Sequence, residues 1–178
     1  MSARRALPAL LETPVLLGVG TMAVLAVTMP LGPGGALVAP DLLFCLIVAW
    51  VVRRPARTPL LAVVALGLFG DVVLSRPLGL GALGLMLVVE TFRRRAILFH
   101  GAPFVIEWAA AVAAFALMLL GMNLVLAAAM LAPPGLAPSL RHLTATAIAY
   151  PLVVLGLTWC LRLRAPRAVT AYRLGRLP

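Results

Sequence analysis

Long apolar runs broken by short arginine- or proline-rich stretches fill the chain, and the runs repeat often enough to predict a helical membrane bundle. Spans are expected over residues 14–29, 40–52, 59–74, 78–90, 102–131 and 143–161, each bounded by charge, proline or glycine. Pro40 and Pro59 fall in first turns, where the missing N–H is not needed. The fifth run is about 45 Å long at helical rise, longer than the hydrocarbon core, so it is expected to tilt, kink or lie partly in the interface. The breaks comprise residues 30–35, the arginine turn at 53–57, the 75–77 turn, a polar connection at 91–101 and the prolines at 133–138. The predicted fold is one all-α membrane domain over residues 1–178 with six transmembrane helices.

The stretch 40–84 carries the most information. Two helices flank Arg53, Arg54, Pro55 and Arg57, and they carry Asp41 and Asp71 where a charge costs about 2.5 to 3.5 kcal/mol on insertion scales. A hairpin follows. Arg76 at the adjoining turn is a near partner for either acid. Asp71 either fixes the hairpin, receives a partner helix, or only caps and packs, held neutral by burial. Asp41 either pairs or simply sits near a helix N-terminus. Gly67 and Gly70 precede Asp71, and with Gly79, Gly81 and Gly84 they predict close packing of the third and fourth spans or docking of another helix.

Composition agrees with the pattern: 63% of residues are hydrophobic and 11% charged, outside the range of soluble domains. The net charge of +10 comes entirely from arginine, with no lysine. The arginines cluster beside apolar runs without a nucleic-acid-binding motif, which points to anionic lipid headgroups rather than nucleic acid. Thirteen of the fifteen fall on one side of a six-span arrangement, which predicts cytoplasmic N and C termini and a basic cytoplasmic tail at 162–178. Arg4 and Arg5 before the first run are read as flanking a retained helix rather than a signal peptide.

Candidate chemistry is sparse. Cys45 and Cys160 lie in apolar runs without ligand spacing, so no disulfide, metal or cofactor is indicated. His100 and His142 fall on opposite sides in this arrangement, and no serine sits beside a base, so no catalytic residue is assigned. Glu90 is expected to pair with Arg93 to Arg95 along one helix face. Glu107 is expected near the inner interface, and Trp50, Trp108, Trp159 and Tyr150 at headgroup depth.

Pro40 before a polar residue and an apolar run to Trp50, then Pro55 after a basic gap, Gly67 with Asp71, and Leu78-Gly79 together resemble the MreD family of rod shape-determining proteins. Tyr150-Pro151 followed by an apolar run to Arg162 and Arg164 is similar to that family's C-terminal end. Asp41 stands where a neutral polar residue would serve, and Glu90 where an apolar or aromatic one is expected. The resemblance implies a non-enzymatic subunit of the bacterial inner membrane that works in cell-wall elongation. Its implied partners are MreC, the filament protein MreB, and RodA with its penicillin-binding protein, and its implied fold resembles the substrate-binding subunits of energy-coupling-factor transporters. Partner binding or helix packing is assigned to Pro40, Asp41, Trp50, Pro55, Gly67, Gly70, Asp71, Arg76, Leu78 and Gly79. The alternative is a vitamin-binding transporter subunit, which needs a polar cavity open to the outside. Asp41, Thr21, Thr28, Ser75 and Asn123 are few groups for one.

Overall fold

A computed structural model describes residues 9–29, 38–99 and 101–160. The break at 30–35, His100, Arg4, Arg5 and the tail at 162–178 lie outside the described residues. Seven α-helices and no strand occur among those described. They are α1 (Ala9–Thr28), α2 (Leu42–Arg53), α3 (Leu60–Val73), α4 (Leu80–Arg94), the single turn α5 (Ala96–Phe99), α6 (Phe104–Ala128) and α7 (Leu136–Cys160), with a 3-10 turn at Pro55–Arg57.

The bundle is built around α2. Every residue from Leu43 to Arg53 is buried, because α1, α4, α6 and α7 pack around it. At 12 residues α2 is about 18 Å long, well short of a hydrocarbon core about 30 Å thick. Its apolar run therefore meets protein, not lipid. By contrast α6 and α7, 25 residues each, are long and apolar enough to cross a membrane, and only 17% and 28% of their most apolar windows are buried.

Three element boundaries differ from those the sequence predicts. The first helix starts at Ala9 rather than near 14, with Pro14 inside it. The fourth helix does not end at Glu90. It runs through Arg94, since Glu90 pairs with Arg94 at 2.7 Å one turn on and the arginines suit a helix C-terminus. The last helix starts at Leu136 rather than near 143, because Pro138 sits in its first turn, where a proline costs no hydrogen bond.

The closest helix approach is between α3 and α4. A Cβ on Gly67 would lie 2.6 Å from the Ala82 Cα, so only glycine fits there. Gly79 acts differently. It is left-handed, with φ of 87° and open space where a Cβ would go, so it serves the turn and not a helix contact.

Candidate functional site

The polar residues gather at the two ends of α2. At its C-terminal end Arg53 Nη1 donates to Glu107 Oε1 of α6 at 2.8 Å, and the Tyr150 hydroxyl of α7 donates to the same oxygen at 2.7 Å. Arg53 also donates to the Ala49 carbonyl at 2.8 Å. All three side chains are buried. One ion pair and one phenol thus tie α2, α6 and α7 together, and the geometry offsets a desolvation cost that an unpaired charge would carry alone.

A second pair lies beside it. Glu12 of α1, buried, accepts from Arg57 Nη1 at 3.0 Å, and Arg54 Nε stands 3.8 Å from the same oxygen. Arg93 of α4 donates to the Thr58 carbonyl. The arginine turn is therefore gripped from α1 and α4 at once. Pro55 opens this turn and is half-buried.

At the N-terminal end Asp41 caps α2. Its Oδ1 accepts the Phe44 N–H at 3.0 Å, and its Oδ2 accepts from Arg76 Nη1 at 3.0 Å. Helix α7 holds the chain just before the cap, since Thr146 Oγ1 accepts the Asp41 N–H at 3.0 Å and His142 Nδ1 lies 3.1 Å from the Ala39 carbonyl. Pro40 is the half-buried residue between these two tethers.

Asp71 does not meet Arg76 through its side chain. Its Oδ2 accepts three backbone N–H groups at the start of α4, from Gly79 at 2.9 Å, Gly81 at 3.1 Å and Ala82 at 3.3 Å. Gly79, the N-cap residue, has no side chain to offer, so a carboxylate from the preceding helix caps α4 in its place. Gly81 leaves room for that carboxylate, which a Cβ would strike. Of the sequence readings, capping is the one these contacts match, and the helices they tie are α3 and α4 rather than the pair around the arginine turn.

The family model described as rod shape-determining protein MreD matches residues 4–158 of the 178. The chain belongs to the MreD family. Neither a search of curated proteins nor one of solved structures found a match. MreD proteins are membrane components of rod shape determination, so the polar contacts above are those of a shape-determining membrane protein and not of a known enzyme family.

Several residues singled out in the MreD-like pattern change their meaning. Trp50 and Tyr150, expected at headgroup depth, are fully buried core residues. Glu107, expected to reach the interface, is buried in the ion pair with Arg53. Trp108 answers a defect. Pro151, inside α7, has no N–H for the carbonyl of Ala147, and Trp108 Nε1 donates to that carbonyl at 2.9 Å. Gly70 packs against Leu43 and Val24, whereas Leu78 is 71% exposed. Glu12, Thr146 and His142 had no structural role assigned from sequence. Their partners lie 45, 105 and 103 residues away, a separation that helical spacing cannot reveal.

Proposed function

We propose that this chain is a non-enzymatic, multi-pass subunit of the bacterial inner membrane that binds MreC and helps couple MreB filaments to peptidoglycan synthesis by RodA and its penicillin-binding protein. The observation that carries this is the match to the MreD family over residues 4–158. Six crossings with both termini in the cytoplasm are supported by the arginine distribution, thirteen against two. In that arrangement the Arg53 end of α2 faces the cytoplasm and the Asp41 end faces outward. Short α2 fits it because neighbouring helices surround it and complete the span, whereas α3 leaves Leu61 and Val72 on the outside of the bundle.

The residues of the MreD-like pattern act mainly by holding the bundle, since Asp41, Trp50, Gly67, Gly70 and Asp71 are all buried inside it. A partner helix meets what is left exposed. Ile148, Leu152, Leu155 and Trp159 form one apolar stripe on α7 at alternating spacings of four and three, the seam of a helix pair. Photocrosslinker placed at Leu152, which is 66% exposed, is expected to capture MreC in native membranes, with Trp50 as the buried control. No MreC adduct from any position on this stripe sinks the proposed contact.

The second reading, a vitamin-binding transporter subunit, is favoured by one feature, a cavity of about 350 Å³ whose wall includes Asp41, Arg76, Asn123 and His142. A water-soluble vitamin retained through purification would decide for it.

A further inference from the structure

Two cavities lie end to end beside α4 and α6. The cavity of about 350 Å³ at the Asp41 end has Asp41, Arg76, Asn123, Ser139 and His142 on its polar side. The other, about 320 Å³, is a groove between α4 and α6 in which Thr91 supplies the only polar side chain among the described residues. Leu80, Met118 and Met122 line both, so the two cavities adjoin at these three side chains. Together they offer mostly apolar walls, with the Asp41–Arg76 pair at one end.

The Asp41 and Arg76 charges balance, but the cation keeps donors to spare for an anion. Asp41 is satisfied largely by its own helix, through the Phe44 N–H and the positive end of the α2 dipole. Arg76 has five N–H donors to place, and its side chain makes one hydrogen bond among the described residues, through Nη1. Pro138 and Ser139 in the first turn of α7 line the same chamber and bring the positive end of that helix.

The groove favours a flexible chain over a helix. The space beside Gly84 that an approaching backbone would need is filled by Met118, whose Cγ lies 2.9 Å from where a Cβ would stand. Unbranched methionines adapt to an irregular chain. Leu83, Leu87 and Leu117 beside the groove are exposed, so it opens laterally onto the surface that faces lipid.

We propose that the joined cavities hold one anionic lipid, with its phosphate against Arg76 and an acyl chain along the α4–α6 groove. The proposal rests on the membrane placement above. A water-soluble ligand would leave the groove unfilled, and a purely apolar one would leave Arg76 unanswered.

The full chain, delipidated in detergent, is titrated with phosphatidylglycerol or phosphatidylcholine of the same acyl composition and read by native mass spectrometry. One phosphatidylglycerol is expected to bind about tenfold more tightly than phosphatidylcholine, which has the same phosphate but also a choline cation that Arg76 repels. Arg76→Gln should erase the preference, and Met122→Trp, which fills the junction without touching the charge, should weaken both lipids. Equal binding of the two lipids, a preference that survives Arg76→Gln, or no effect of Met122→Trp each overturns the site. So does a retained water-soluble molecule with no lipid bound. A chain that stays folded and soluble without detergent overturns the membrane placement instead, which separates that failure from this one.

Discussion

The two ends of α2 solve the same problem in opposite ways. At the Arg53 end one pair is sealed, with side chains of Arg53 and Glu107 only 3% and 9% exposed and Tyr150 closing the third side, while Arg57 beside Glu12 stays 49% exposed. At the Asp41 end the acid is buried, but Arg76 is 29% exposed and borders a cavity. A sealed pair has one arrangement and gives its energy to the fold. An open pair retains donors for something else, at the cost of holding α2 less firmly.

The largest test of that contrast is Glu107→Leu. It leaves the Arg53 guanidinium buried without its carboxylate, and thermal unfolding in detergent should show a loss of about 3 to 5 kcal/mol. The double variant Arg53→Met with Glu107→Leu should recover most of it, because the buried charge goes with its partner. If the double variant is as unstable as the single one, the seal is not electrostatic.

Asp71 gives a smaller effect with a sharper signature. Asp71→Ala orphans three N–H groups at the start of α4 and should cost about 3 kcal/mol. Asp71→Asn keeps an acceptor and should cost about 1 kcal/mol, the value of charge at a helix N-terminus. Equal losses in the two variants would mean that Asp71 acts by charge and not as a cap. Next comes Gly67→Val, which forces α3 off the Ala82 backbone and should cost about 1 to 3 kcal/mol by the same melt.

The smallest expected effect completes the comparison. Arg76→Gln breaks a part-exposed pair and should change stability by less than about 1 kcal/mol. A loss as large as that of Glu107→Leu would erase the distinction between the ends.

The arginine turn was legible because charge and proline interrupt an apolar run at one place, but the two helices it joins hardly meet as a hairpin: α3 packs on α4 and α1, and α2 on α7, α4 and α1. The pairing of Arg76 with Asp41 was legible too, since 76 is the near cation on that side. What stayed hidden has physical causes. Hydropathy cannot tell α2, enclosed by protein, from α6, mostly bare, because core and lipid ask for the same residues. Trp50 and Tyr150 read as interface anchors on composition, yet their depth depends on which helices surround them. Asp71 was read either against Arg76 or as a cap, and spacing could not say which backbone N–H groups it caps, since these carry no sequence signal. Trp108 could have been found, since Pro151 announces an unpaired carbonyl four residues earlier.

The central claim is that the closed end of α2 faces the cytoplasm and the open end faces outward. Single cysteines answer it directly. With Cys45 and Cys160 replaced by alanine, cysteine is placed at exposed Ala56 in the arginine turn or at exposed Ala137 beside the cavity. A membrane-impermeant maleimide is then applied to cells whose inner membrane is intact. Labelling of the Ala137 variant before lysis and of the Ala56 variant only after it is the expected result. The reverse order, or labelling of both before lysis, contradicts the account.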